Sequence, residues 1–505
     1  MENKAKFLGI NFDSKLTWSD HVNYIMDKCN KRLNLLRAVS GNKWGASKKT
    51  LLILYRSLIR SILDYGDIAL DSMSDHNKRK LDSIQARALR VVCGAVAGTA
   101  TSALQVDTGE LPLQLRRLQH QLQYTVKVKS DNNHPADNVF KPNWLTIRHT
   151  RYDSNTDPIH NKVSDFSRKY LENIEVTNSS QPSVPPWHRK ECIIDISISK
   201  SGNKKESPNL LTSLAKERLD TYSGNIQIFT DASKNQDGRT AAAYYIPGFQ
   251  IKHATRLTDN LTIFTAELTA IKLAVLWLKE NQNRLSKTQN IVIVSDSLSA
   301  LKAIKTCKSM GSPSLLNEVL DLVDNIRVHV TFLWVPSHLG IHGNETVDRL
   351  AQNAAHSADT ELNVHLETAD LYRIVDSYIL QKWQDIWTAS EHGKFYKKLE
   401  PSVSFSIKYQ HTNRAKETTI TRLRLGKCRL NDYLAMIKVL DSDKCTHCER
   451  FTETVEHFLI DCNCSPLVNA VKSACRSSNV TPSIENILSD ESITNVIYRN
   501  INRKI

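Results

Sequence analysis

The sequence predicts a multidomain chain. A helical N-terminal region covers 1–130 and a connector 131–220; a mixed α/β domain with a five-stranded sheet covers 221–358. A mostly helical C-terminal region over 359–505 holds a small cysteine/histidine module. Three observations lead there. The chain has 505 residues, several times one typical domain. Its apolar spacing switches from helical to strand-like and back along the chain. Its composition, 40% apolar and 24% charged, is that of a globular protein and excludes disordered, collagen-like and coiled-coil chains.

The elements follow in order. Lys6-Phe-Leu-Gly-Ile-Asn-Phe-Asp13 is strand-like. Leu51, Leu52, Leu54, Tyr55, Leu58, Ile59 and Ile62 recur at helical spacing between Gly45 and Gly66. Leu81, Ile84, Ala88, Leu89 and Val92 form a second apolar face that stops before Gly94. From Asp131 to about Ser207 the pattern weakens into Asn, Ser, Pro and Lys, with Pro182 and Pro185-Pro186, as a connector does. Order returns at Asn225. Strands are predicted at Ile226–Asp231, Gly238–Pro247, Phe249–Leu257, Asn290–Asp296 and Val328–Trp334. Helices are predicted at Ile263–Asn281, from Leu298, and at Glu345–Ala358, which completes a mixed α/β unit. The chain then reads as helical up to the cysteine cluster, with a closing helix over Ile487–Ile505.

Charge gives the first functional indication. The excess of 67 Lys+Arg over 53 Asp+Glu is +14, and residues 1–130 alone carry +10 of it. A basic third beside near-neutral regions suits a polyanion, so nucleic acid is an expected ligand of that region. Mean hydropathy is −0.38 and no apolar run approaches the 18 or so residues of a spanning helix. Nor does an apolar stretch follow Met1–Lys6. The expectation is an intracellular protein without secretory signal or membrane anchor, with nucleus and cytoplasm both open. Ten cysteines are too few for a disulfide scaffold, yet four fall between positions 445 and 464, which suggests a metal site.

Within 221–358, Asp231 and Asp296 are predicted at strand ends, Glu267 in the first turns of a helix, and Asp348 near the start of the last helix. His338 lies ten residues before Asp348 in a Gly/His-rich loop. Taken singly, each has an ordinary reading as a cap, a turn former or an exposed residue. Four carboxylates gathered at one sheet edge would repel one another unless cations neutralise them. Two divalent hard ions with carboxylate and water ligands answer that need in phosphodiester chemistry.

Phe229-Thr-Asp231-Ala-Ser233, Phe264-Thr-Ala-Glu267-Leu, Val294-Ser-Asp296-Ser297 and Trp334-Val-Pro-Ser-His338-Leu-Gly-Ile-His-Gly-Asn344-Glu-Thr-Val-Asp348 resemble the ribonuclease H domain of non-LTR retrotransposons of the jockey-like kind. The resemblance implies that Asp231, Glu267, Asp296 and Asp348 bind two Mg²⁺ ions, with Mn²⁺ as an alternative. It implies that His338 assists proton transfer or product release, and that Ser233, Ser297 and Asn344 help hold the nucleic acid. The implied activity is hydrolysis of the RNA strand of RNA–DNA hybrids. Ala232 stands where the family often has Gly, and a small residue is kept.

The flanks resemble the same elements. Lys6–Trp18 and Leu58–Gly66 are similar to the stretch after a reverse transcriptase palm, which leads into the thumb. No Asp-Asp dipeptide occurs in the chain, so no palm site and no DNA synthesis are expected from it. The reading is a retrotransposon polyprotein fragment without its polymerase palm. Cys445-x2-Cys448-x8-His457-x4-Cys462 has the ligand types of a structural Zn²⁺ site, with Cys464 competing for the fourth place. Two rivals remain at this level. An integrase or transposase shares the topology but does not need Glu267. A non-catalytic nucleic-acid-binding relic would keep the motifs without the activity.

Overall fold

The computed structural model describes residues 4–130, 134–136, 184–190, 192–200, 208–285, 290–309 and 311–501, together with Val163, Phe166, Arg168 and Tyr170. Most of the expected connector, Pro182 included, lies outside the described residues. The chain forms two compact units, one mainly of Met1–Gln121 and Ser377–Ile505, the other mainly of His160–Asp376.

The first unit opens with a hairpin, β1 (Lys4–Phe7) and β2 (Ile10–Asp13). Leu8 and Gly9 turn it at φ 45° and 84°, the double positive φ that suits the twist of a two-residue hairpin loop. Helix Lys48–Tyr55 runs through a π turn, Arg56–Arg60, into Ser61–Asp64. Helix Asp75–Cys93 is capped by the Ser74 hydroxyl and stopped by left-handed Gly94. At the C-terminal end, the single helix expected over Ile487–Ile505 is instead two, Ile484–Ser489 and Glu491–Asn500. The break falls at Asp490, whose carboxylate accepts from Ile493 N and starts the second helix.

Regions that the sequence separates by more than two hundred residues share this unit's interior. Lys48 Nζ lies 2.7 Å from Asp107 Oδ2, both side chains fully buried. The Tyr396 hydroxyl donates to Asp107 Oδ1 at 3.0 Å, and Lys48 N donates to Glu417, which pairs with Arg414. Each of these four buried charges therefore faces an opposite one, as low-dielectric burial requires.

The second unit is built on a six-stranded sheet in the order β3–β8–β7–β4–β5–β6. Its strands are β3 (Ile193–Asp195), β4 (Ile226–Lys234), β5 (Thr240–Ile246), β6 (Ile251–Arg256), β7 (Ile291–Ser295) and β8 (Val330–Trp334). β4, β5 and β6 form an antiparallel meander, while β7 runs parallel to β4 and to β8, and β8 parallel to β3. The sheet therefore has one strand more than the five expected. Three residues of the connector region pair with β8 and cover its edge, a contribution too short to leave a sequence pattern.

β7 is apolar from Ile291 to Val294 because both faces are covered, and only its last residue, Ser295 beside the carboxylates, is polar. Ile291 and Ile293 enter one core with Leu268, Ile271 and Val275 of helix Ile263–Asn281 and Leu316, Val319 and Leu320 of helix Pro313–Asp324. Val292 and Val294 enter the other, with Val347 and Ala351 of helix His342–Ala355. That last helix approaches β4 so closely that a Cβ on Gly343 would lie 2.4 Å from the Phe229 ring. Among the described residues, no helix is long and apolar enough to cross a membrane.

Candidate active site and metal centre

Asp231 does not end β4, as the sequence suggests, but sits within it opposite Ala243 of β5. Two neighbours explain the difference. The ladder from β4 to β7 stops at the pair Thr230 and Ser295, whereas the ladder to β5 continues to Lys234. Seen from β7, Asp231 is thus the first residue past a strand end, and Asp296, next after Ser295, is its counterpart. Two parallel strands deliver adjacent carboxylates at their C-terminal edge, where α/β sheets assemble sites.

Glu267 is the fifth residue of helix Ile263–Asn281, whose cap is the Thr262 hydroxyl accepting from Thr265 N. It is buried, and its Oε2 has no hydrogen-bond partner. Asp296 is held twice: its backbone oxygen accepts from the Trp334 indole at 3.0 Å, and Oδ2 accepts from Asn344 Nδ2 at 3.3 Å. One carboxylate oxygen each from Asp231, Glu267 and Asp296 lies within 4.8 Å of the others.

Burial, then the charge of Asp296, raises the Asp231 pKa to about 8. Burial and the charges of Asp231 and Asp296 raise Glu267 well above the usual carboxylate range. Burial also raises Asp296, against the pull of the Asn344 amide. Such a cluster carries its full charge at neutral pH only beside a cation. A hard divalent ion such as Mg²⁺ or Mn²⁺ would supply that charge and engage the partnerless Glu267 oxygen, so the residues fit the ion.

The other expected site residues fall around this cluster. Asp348 is outside the close group of three, although its charge raises the pKa of all of them. Its Oδ2 is 3.5 Å from His338 Nδ1, and its Oδ1 accepts from Gln352 Nε2 at 2.7 Å. His338 has a left-handed backbone, φ 52°, and an exposed ring. Asn344 is buried and spends its amide on Asp296, while Ser233 is half-buried on β4 opposite Ala241. The Ser297 hydroxyl accepts from Ala300 N and caps helix Leu298–Thr306, a structural use of a residue expected to hold nucleic acid. Sequence reasoning missed Gln352, which lies four residues after Asp348 and so on the same helix face. It also missed the Trp334 indole, for which no local signal exists.

In the first unit, Cys445, Cys448, His457 and Cys462 place ligand atoms within 4.8 Å of one another. Cys445 and Cys462 sulfurs are 3.7 Å apart, and Cys448 Sγ is 3.4 Å from His457 Nε2. Ligands about 2.3 Å from a central zinc at tetrahedral angles stand about 3.8 Å apart, so this is the edge length a zinc site needs. Backbone N–H groups of Phe451 and Arg450 lower the Cys448 thiol to about 6, which favours the thiolate a metal takes. Cys464 is exposed and outside the group, whereas Cys462 lies within it.

Residues 223–356 match the RNase H family. The "Retrovirus-related Pol polyprotein from type-1 retrotransposable element R1 4" of Nasonia vitripennis is 26% identical over 117 residues, which are 23% of this chain and 30% of that protein. The chain thus spans under a third of the length of that relative. Residues 223–356 are therefore an RNase H domain of non-LTR retrotransposon descent.

Proposed function

We propose that this chain hydrolyses the RNA strand of RNA–DNA hybrids at the carboxylate cluster. The observation that carries the reading is the gathering of Asp231, Glu267 and Asp296, with raised pKa values and an unpartnered Glu267 oxygen, at the sheet edge of an RNase H domain. Those three would hold one Mg²⁺ or Mn²⁺, and Asp348 would join in holding a second. When bound, the ions supply positive charge, a more acidic water and relief for the developing charge on the leaving oxygen.

The chain's own residues do the rest. Asn344 and Trp334 fix Asp296 from its side chain and its backbone. His338, exposed beside Asp348, moves a proton at Nδ1 as the bond to the 3′-oxygen breaks and water oxygen joins phosphorus. The products are a 5′-phosphate and a 3′-hydroxyl. Ser233 would help hold the nucleic acid backbone, and selection of RNA rests on 2′-hydroxyl and minor-groove contacts rather than base edges. The basic 1–130 region binds nucleic acid backbone, and Zn²⁺ on Cys445, Cys448, His457 and Cys462 folds the small module.

The test is cleavage of a labelled RNA–DNA hybrid by the purified chain with Mg²⁺ and then EDTA, against duplex RNA, duplex DNA and single strands. Loss of the hybrid's RNA strand alone, dependent on Mg²⁺ and abolished by Asp296→Asn, is expected. An intact hybrid with a folded chain would make this a binding relic instead.

A further inference from the structure

The RNase H match ends at residue 356, but the chain stays on the domain well past that point. Glu361 N and Leu362 N both donate to Arg256 O at 2.9 Å, at the end of β6. Val364 N donates to the Thr258 hydroxyl at 2.8 Å, next along the loop that enters helix Ile263–Asn281. The segment then reaches the start of that helix. Asp370 is fully buried, and its Oδ1 accepts from Thr262 N at 2.5 Å and from the Thr265 hydroxyl at 2.9 Å. Its Oδ2 accepts from Glu367 N at 3.0 Å.

Glu367 acts in parallel on a second helix. Its carboxylate accepts from Ser314 N and Leu315 N at the first turn of helix Pro313–Asp324. The Thr265 hydroxyl also meets the Ser312 hydroxyl at 2.9 Å, so the two helix starts share one polar network. A carboxylate on the free N–H groups of a helix start is favoured by both hydrogen bonding and the helix dipole. Buried as these are, each bond also fixes geometry, because the groups have no water to turn to instead.

What this network holds is the turn that presents Glu267. Thr262 and Thr265 are the cap and third residue of the helix in which Glu267 is fifth. Glu267 Oε2 has no hydrogen-bond partner, and apart from its contact with Asp231 the carboxylate depends on the helix backbone for its position. We propose that Asp370, beyond the RNase H match, is a positioning residue for the nuclease site: it locks the first turn of helix Ile263–Asn281 and thereby sets Glu267 for metal. This rests on the reading of the cluster as the nuclease site and extends the working domain to about residue 376.

The experiment uses the full chain and its Asp370→Ala and Asp370→Asn variants. Mg²⁺ binding is read by calorimetry, fold by circular dichroism, and kcat and KM on a labelled RNA–DNA hybrid. Asp370→Ala should weaken Mg²⁺ binding and lower kcat roughly tenfold, with hybrid KM within about twofold of wild type. Asp370→Asn keeps an oxygen acceptor for Thr262 N and Thr265 and should recover most of both. A folded Asp370→Ala chain with wild-type Mg²⁺ affinity and kcat overturns the proposal. Should that variant lose its fold, Thr265→Val, which removes one donor to Oδ1 and keeps the side-chain shape, decides by the same calorimetry: weaker binding supports the proposal and unchanged binding overturns it. A wild-type chain that binds Mg²⁺ but leaves hybrid intact sinks the nuclease reading alone, and Mg²⁺ binding by the variants still decides the role of Asp370. A wild-type chain that binds no Mg²⁺ sinks both.

Discussion

Asn344 donates its amide to Asp296 Oδ2 at 3.3 Å, tying the helix that carries Asp348 to the carboxylate after β7. This bond favours the ionised carboxylate and opposes the burial that raises its pKa. Asn344→Ala should therefore raise the Asp296 pKa further. Metal binding needs the ionised form, so the acid limb of the kcat/KM profile should move to higher pH. Activity lost at pH 7 should recover at higher pH. An acid limb that stays in place would show that the amide does not tune Asp296.

The raised pKa of Asp231 makes a prediction about stability without metal. A carboxyl whose folded pKa lies above its unfolded value keeps its proton in the folded state after the unfolded chain has released its own. The folded state is then favoured most below pH of about 4, and that advantage is lost as pH rises toward about 8. The Tm of the EDTA-treated chain should fall over this window. Asp231→Asn should flatten the slope, and added Mg²⁺ should raise Tm more at pH 8 than at pH 6. A variant with the wild-type slope would place the pH dependence elsewhere.

Lys48 and Asp107 carry a third prediction, about the first unit. Both side chains are fully buried, and Asp107 also takes hydrogen bonds from Tyr396 and Cys93. Lys48→Met leaves Asp107 without its counter-charge, and removing one partner of such a pair costs about 3–5 kcal/mol. Urea unfolding followed by circular dichroism should show the early loss of one unit. A transition midpoint equal to wild type would mean that Asp107 finds another cation or takes up a proton at no cost.

The bounds of helix Ile263–Asn281 were legible in the sequence because its apolar face is continuous and Thr262 marks its start. β7 was legible because a strand covered on both faces is a near-continuous apolar run, here Ile291 to Val294. The extent of β4 was not, since Asp231-Ala-Ser233 is poor strand sequence. The pairing of Ala232 with Ala242 and Ser233 with Ala241 overrides that local preference. Gln352 could have been found from its spacing to Asp348. Asp370 could not: Glu367-Thr-Ala-Asp370 reads as the acidic first turn of its own helix, and nothing local shows that its carboxylates cap two others. Lys48 with Asp107 is likewise a product of tertiary packing, which periodicity does not encode.

The choice between Cys462 and Cys464 gives the last prediction, since the sequence alone leaves it open. Cys462 is buried with its sulfur 3.7 Å from that of Cys445, whereas Cys464 is exposed. That separation is far above a disulfide bond of about 2.05 Å and close to the edge of a zinc tetrahedron. The π-helical turn His457–Asp461 ends at Cys462 with extended backbone, ψ 91°, and Cys462 N donates to His457 O at 3.0 Å. The hydrogen bond fixes the spacing of these two ligands. Cys464→Ser should therefore keep zinc at the wild-type ratio after dialysis. Cys462→Ser should lose it and expose the nearby core around Val468 to rapid hydrogen exchange. If Cys462→Ser keeps its zinc and Cys464→Ser loses it, the fourth ligand is Cys464, and the His457–Asp461 turn must rearrange to bring it in.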